Sequence, residues 1–257
     1  MNLNEIMVAF YTLLHKEIRR FTRIWVQTLI PPAITMTLYF LIFGTLIGKR
    51  IGEMGGVDYM QFVAPGLIMM SVITNAYSNV VSSFFSAKFQ HSVEEMLVSP
   101  LPNFIILAGY VLGGVARGLC VGFIVTLLSL LFTQLVIHNL LVVISIIFLT
   151  SILFSLAGFI NAVFAQSFDD ISIIPTFVLT PLTYLGGVFY SIALLPPFWQ
   201  DVSKANPILY MINAFRFGFL GISDINLVYA YSMICIFIIA AYLCAMRLLD
   251  SGYGLRH

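Results

Sequence analysis

Charge is what this chain has least of. Only 9% of its residues are Asp, Glu, Lys or Arg, against about 25% in an ordinary soluble domain. With 60% apolar residues and a mean hydropathy of +1.02, most of its 257 residues have lipid rather than water as their solvent. A net charge of +1 offers no field for nucleic acid, which excludes that class of partner. Cysteine is nearly missing. Cys120, Cys235 and Cys244 all lie in apolar runs without a CxxC pair, so they read as small buried hydrophobes and not as a redox or disulfide framework. His15, His91, His138 and His257 are scattered, no HExxH occurs, and no metal site is expected. No cleavable signal is expected, because the first apolar run follows a basic stretch and lacks a small-residue cleavage site.

A nucleotide loop is missing too. The stretch GTLIGKR at 44–50 is one residue short between its glycines and has Arg50 where a Ser or Thr would reach magnesium. It also follows an apolar run, not a strand. The chain therefore reads as a non-enzyme with no catalytic or cofactor residues of its own.

What is present in abundance is apolar runs of membrane-crossing length. They fall at 27–48, 59–87, 104–132, 140–165, 171–193 and 226–247, and the connections between them are too short to hold a folded soluble domain. The expectation is an all-α integral membrane protein over 1–257, with six transmembrane helices. Basic residues near the run ends set the orientation. Lys16, Arg19, Arg20, Arg23, Lys88, Arg247 and Arg256 would lie inside, and Lys49, Arg50, Lys204 and Arg216 outside, which puts both termini in the cytoplasm.

Before the first run, Leu3, Met7, Phe10, Leu14, Ile18, Phe21 and Trp25 recur at helical spacing, with Lys16, Arg19, Arg20 and Arg23 on the other side. Residues 3–26 are expected to form an amphipathic helix lying at the membrane interface, its basic side toward anionic headgroups. Ile30-Pro31-Pro32 marks the turn into the first span. In the second span Ser71, Asn75, Ser78, Ser82 and Ser86 make a polar stripe that must face protein or water. In the third, Gly109, Gly113, Gly114, Gly118 and Gly122 allow close approach of another helix, from the same chain or from a second copy. Arg117, midway along that span, either meets an anionic substrate group or is paired structurally.

The loops carry two cap-like patterns. Ser167 and Asp170, three apart, read as a cap at the start of the fifth run, so Asp169 and Asp170 are assigned to capping before catalysis. In HSVEEMLVSP, Ser92 reads as N-cap with Glu95 as its reciprocal partner, and Val93, Met96 and Leu97 make a small apolar face. Such a short helix must be held by packing, on its own spans or in a partner's groove. Finally, 185–207 combines Gly186, Gly187, Pro196, Pro197, Trp199 and Asn206-Pro207. Greasy yet repeatedly broken, residues 195–221 are expected to form a re-entrant helical pair before the last span. Broken backbone at that depth marks a path or gate.

Together, PGLIMMSVITNAYSNV, SSFFSAKFQHSVEEMLVSP, FDDISIIPTFVLTPLTYLGGVFYSIALLPPFW and NPILYMINAFRFGFLGI resemble the type-2 ABC export permeases over essentially the whole chain. The resemblance implies a permease subunit of an ATP-binding-cassette exporter in the bacterial inner membrane, paired as a dimer, here a homodimer. A separate cytoplasmic ABC ATPase subunit would carry ATP and Mg. It implies that His91, Ser92, Val93, Glu94, Glu95, Met96 and Leu97, within 91–99, form the coupling helix that docks on the ATPase. It implies that the 195–221 pair, with Pro196, Pro197, Trp199, Asn206, Pro207 and Arg216, closes the outer side, and that the 3–26 helix also touches the ATPase. The cargo would be an amphipathic or glycan/lipid-type molecule moved outward. The alternative is an ion-coupled secondary transporter, which needs paired broken helices and a membrane-buried carboxylate. A lipid-handling enzyme built on Asp169 and Asp170 is a third reading.

Overall fold

Helices make up nearly all of the computed structural model, which describes residues 2–254. Arg256, counted above on the inner side, and His257 lie outside the described residues. In chain order the elements are α1 (Leu3–Arg23), α2 (Trp25–Ile51), a hairpin of β1 (Glu53–Met54) and β2 (Val57–Asp58), α3 (Tyr59–Phe89), α4 (Ser92–Val98), α5 (Asn103–Ser129) and α6 (Leu140–Phe164). After them come α7 (Asp170–Leu185), a single 3-10 turn at Ile192–Leu194, α8 (Pro197–Lys204), α9 (Pro207–Leu220) and α10 (Leu227–Ser251).

Five of these, α2, α3, α5, α6 and α10, are long and apolar enough to cross a membrane. The expected crossing at 171–193 is shorter than drawn. Its helix α7 stops at Leu185, because Gly186 turns its amide to Thr183 and Gly187 takes φ +74°, a left-handed conformation open to glycine at no steric cost. The apolar residues beyond it form turns, not helix.

Burial separates the spans by role. In α3, 78% of the most apolar stretch is buried inside the protein, while in α2 and α10 only 11% is, leaving those two to face lipid. The centre is aromatic: Phe84 of α3 stands edge-on to Tyr110 of α5 at 5.1 Å and lies 4.2 Å from the Phe159 ring of α6. The cysteines depart from expectation. All three are exposed, on helix faces turned away from the core, because in lipid an apolar side chain gains nothing from moving inward.

The glycine row of α5 is consumed within the chain. A Cβ at Gly113 would stand 2.6 Å from Glu17 Cβ on α1, one at Gly118 would stand 3.0 Å from Ala76 Cβ on α3, and one at Gly122 would stand 3.0 Å from Ile147 on α6. Of the two occupants left open for this row, the structure supplies the intramolecular one. Between Leu13 and Phe21, α1 runs alongside α5, burying Leu13, Glu17 and Phe21 at successive four-residue steps. Of the rest of the expected apolar face, Phe10 and Leu14 are half-buried, while Leu3, Met7, Ile18 and the following Trp25 remain exposed.

Candidate coupling helix and gate knot

The short helix α4 forms where expected but is held differently. Its N-cap is His91, in the left-handed region at φ 59°, and the Ser92 hydroxyl donates instead to the Ala87 carbonyl at 3.0 Å. The expected Ser92–Glu95 capping box is absent, because the sharp turn after α3 needs Ser92 to tie back to that helix. His91 Nδ1 lies 3.2 Å from Glu94 Oε1. Val93 is buried, and Met96 and Leu97 pack on the core, so the apolar face is spent on the chain's own spans. What α4 presents outward is Glu95 and Val98, the latter 88% exposed, with Glu94 half-buried beside them.

The base beneath α4 is tied across two spans. Lys88 Nζ at the end of α3 donates to the Val163 and Ala165 carbonyls at 2.6 and 2.8 Å, closing the C-terminal end of α6. Next to it, Gln166 and Ser167 backbone amides both donate to Asp170 Oδ2, at 2.9 and 3.0 Å, and the Asp170 amide donates to Ser167 Oγ at 3.2 Å. That is the reciprocal cap expected from the sequence. These donors hold the Asp170 carboxyl below the usual carboxylate range, the Gln166 amide contributing most.

At the other end of α3 sits a knot around Arg216 of α9. This side chain is 1% exposed. Its Nε donates to the Phe62 carbonyl at 3.2 Å, its Nη2 to the Gly187 carbonyl at 2.6 Å, and its guanidinium lies 3.8 Å from the centre of the Phe62 ring. A pocket of about 180 Å³ separates it from Asp224. Asp224 accepts from Ser191 Oγ at 2.9 Å and from the Ile192 amide at 3.2 Å, and its own amide donates to Asn213 Oδ1 at 3.1 Å. Asn206 caps α9 through the Ile208 amide, and its Nδ2 donates to the Leu182 carbonyl, which Gly186 has released. Pro207 occupies the first turn of α9, where its missing N–H costs nothing. Pro196 and Pro197 open α8, which leaves Phe198 and Trp199 exposed at 69% and 46%. Asn206 and Pro207 stand at the start of α9 and Arg216 near its other end, each with its own partners, so the three share a helix but not one cluster; Pro196, Pro197 and Trp199 lie at the start of α8.

Arg117 lies elsewhere, in a polar junction between α1, α3 and α5. It donates to Asn75 Oδ1 at 3.0 Å and to the Thr28 carbonyl at 3.4 Å. Beside it Arg20 Nη2 donates to the Asn79 carbonyl and Oδ1, at 2.8 and 2.9 Å, and Arg20 Nε lies 3.5 Å from Glu17 Oε2. Glu17 has no exposure and accepts from Ser83 Oγ at 2.8 Å. The polar stripe takes little part in this. Ser71, Ser82 and Ser86 bond within α3, and only Asn75 of the stripe reaches another helix.

Aromatic side chains join the irregular helices. Both α2 and α7 contain π-helical stretches, at Phe40–Gly48 and Pro175–Leu179. Phe43 stacks on Phe189 just past α7 at 4.4 Å, and the Tyr39 and Tyr184 hydroxyls lie 3.2 Å apart.

A broken, aromatic-rich α7–α9 region following four apolar helices is a family-level pattern, and comparison with known proteins decides which. Residues 8–220 match the family model described as ABC-2 type transporter. The chain belongs to the ABC-2 type transporter family. It is 63% identical over 249 residues to the inner membrane transport permease YadH of Escherichia coli (strain K12), covering 97% of each chain. It is 25% identical over 213 residues to nodulation protein J of Rhizobium leguminosarum bv. viciae, covering 82% of each. An ABC-2 chain is a membrane-embedded transport permease and not a catalytic enzyme, and membership implies association with an ABC ATPase. The matched residues include α4 and the whole of α9.

Sequence reasoning missed Glu17, Asn79, Ser83, Lys88, Asn213 and Asp224. Glu17 had a signal: a lone acid four residues from both Leu13 and Phe21, on a line distinct from the basic face.

Proposed function

We propose that the chain is the permease subunit of an ATP-binding-cassette exporter in a bacterial inner membrane. It works as a homodimer, with six crossings counting α7 and both termini in the cytoplasm. A separate ATPase holding ATP and Mg docks on α4, and the α8–α9 pair closes the path on the outer side. The cargo is an amphipathic molecule of glycan or lipid type. The observation that carries this reading is the way α4 is mounted. A helix of seven residues is too short to stand alone in water, and its apolar face is fastened to the spans, so its outward Glu94, Glu95 and Val98 make a rigid foothold. Force applied there enters α3 directly.

Replacing Glu94 and Glu95 together by Lys reverses the charge of the foothold while sparing Val93, Met96 and Leu97. The permease is expected to keep its fold in detergent but to lose co-purification with its ATPase, and with it transport-coupled hydrolysis. Unchanged co-purification and unchanged hydrolysis would overturn the docking assignment. Cargo movement by the isolated chain on an ion gradient, with no ATPase present, would replace the reading with the secondary-transporter one. Against that alternative, the buried carboxylate Glu17 is already bonded to Ser83 and set beside Arg20, as a structural pair would be.

A further inference from the structure

The turn from α3 into α4 faces the corner where α6 ends and α7 begins, and two unlike contacts join them. One is aromatic: Phe168 of the corner stands edge-on to Phe85 at 4.9 Å and lies 5.2 Å from Phe89, both on α3. Apolar contact is non-directional, so it resists separation and permits sliding. The other is Lys88, 8% exposed, whose Nζ donates to the Val163 and Ala165 carbonyls at 2.6 and 2.8 Å. It makes no ion pair with a carboxylate among the described residues. Beside it a cavity of about 520 Å³, lined by Phe85, Lys88, Phe89, His91, Ala165 and Gln166, leaves part of the gap between turn and corner unfilled. Two directed, charge-assisted bonds across an incompletely packed gap fix a register that packing alone leaves free. The place of Lys88 in the chain gives that register a use. Its neighbour Ala87 accepts the Ser92 hydroxyl that seats α4, and its own carbonyl accepts the His91 amide. On the other side, Ala165 is followed at once by Gln166 and Ser167, whose amides Asp170 gathers to start α7. One side chain therefore stands between the seat of α4 and the start of α7.

We infer that Lys88 is a positioning residue for transport: it keeps the α6–α7 corner in register with α4, so that α7 follows when the docked ATPase displaces α4. The inference rests on the docking reading above. A plain cap on the end of α6 would affect stability alone, whereas a register bond decides what nucleotide on the ATPase does to α7.

The test is hydrogen–deuterium exchange of the permease–ATPase complex in detergent, with and without the non-hydrolysable analogue AMP-PNP and Mg. In the native complex nucleotide should change exchange in α4 and in α7 together. Lys88→Met keeps the aliphatic stem and removes both bonds. It should leave co-purification and the α4 response intact while the α7 response shrinks on the order of tenfold, inside the roughly 5–150-fold range of coupling between sites. Lys88→Arg, which still has donors for both carbonyls, should restore it. If Lys88→Met loses the native melting temperature, Lys88→Gln, which keeps a polar head, carries the same comparison. A variant whose α7 exchange shifts equally with and without nucleotide, the nucleotide response being kept in full, would reduce Lys88 to a cap and overturn the inference. An α7 that ignores nucleotide in the native complex while α4 responds would overturn it too and leave docking standing. Failure of α4 itself to respond would overturn the docking reading, and this inference with it.

Discussion

Replacing Glu17 by Gln changes almost nothing in shape and removes one charge from a group with no solvent exposure. In the native protein Oε1 accepts from Ser83 at 2.8 Å while Oε2 lies 3.5 Å from Arg20 Nε. The amide keeps an oxygen for Ser83 but sets its N–H groups against those of Arg20. Turning a charge-assisted hydrogen bond into a neutral one forfeits about 1 kcal/mol. Because Arg20 is 30% exposed, solvent screening holds the lost ion pairing to a further ~1 kcal/mol. At roughly 2–4 °C per kcal/mol for a chain of this size, the apparent melting temperature in detergent should fall by about 4–8 °C. Glu17→Ala should fall further, about 3–4 kcal/mol, since it adds a cavity against Gly113 and leaves Arg20 uncompensated. Ser83→Ala completes a double-mutant cycle, and a coupling of about 0.5–3 kcal/mol is expected between the two positions. A Gln variant that melts with the native protein, or a strictly additive double variant, refutes the claim that this junction holds α1 to α3.

Arg216→Met removes the guanidinium bonds to the Phe62 and Gly187 carbonyls and leaves the non-helical Gly187 carbonyl unpaired, at about 1–3 kcal/mol, and should both lower the melting temperature and raise unpowered dye leakage in proteoliposomes. Arg216→Lys should rescue little of this, because a compact ammonium lacks the planar guanidinium that donates through Nε and Nη2 in different directions while lying over the Phe62 ring. The Asp170 carboxyl titrates below its unfolded value of about 3.9, so the cap's contribution is fully present above that pH and is lost as pH falls through the lower folded value. Amide exchange at the start of α7 should therefore accelerate in acid, and Asp170→Asn should abolish that pH dependence. Gly113→Ala places a methyl 2.6 Å from Glu17 Cβ and should cost about 1–3 kcal/mol by overpacking, with faster tryptic cleavage at Arg19 and Arg23 as α1 loosens.

Hydropathy made the apolar runs legible because lipid imposes a length on every crossing helix, and five of the expected runs fall within a few residues of α2, α3, α5, α6 and α10. The breaks at Asn206-Pro207 and Pro196-Pro197 were equally readable, since proline acts through its own backbone wherever it stands. Partners were not readable. A polar stripe on α3 suggested helix–helix bonding, yet a serine hydroxyl in a helix finds its own preceding carbonyl first, as Ser71, Ser82 and Ser86 do. Asn75 alone of the stripe bonds across, to Arg117 of α5, among the described residues; the bonds to α1 went to Asn79 and Ser83, outside the stripe, because α1 approaches α3 from that side. The cap on α4 misled for a similar reason. Ser92 has the right spacing to Glu95, but the left-handed turn at His91 aims its hydroxyl at Ala87. Spacing along the chain carries the period of a helix and says little about which neighbour lies across from it.

Helix α3 meets both candidate sites. Its 31 residues span about 46 Å at 1.5 Å per residue, enough to run from one membrane surface to the other. At its end Lys88 binds it to the terminus of α6, and Ala87 accepts the hydroxyl that seats α4. At its start Phe62 supplies both a carbonyl and a ring to Arg216. Being the most buried span, it has neighbours on every side and little freedom to bend, so on the proposed docking reading a load at α4 would reach the Arg216 knot as movement of a rod and not as local strain. The knot is the weaker end. Arg216 reaches across to the Gly187 carbonyl through one hydrogen bond, and Asp224 holds the turn at Ser191 through the Ser191 hydroxyl and the Ile192 amide, whereas Lys88 makes two short bonds into a helix terminus. On the powered-permease reading, α3 moves with α4, and the contacts that yield first are those around Arg216.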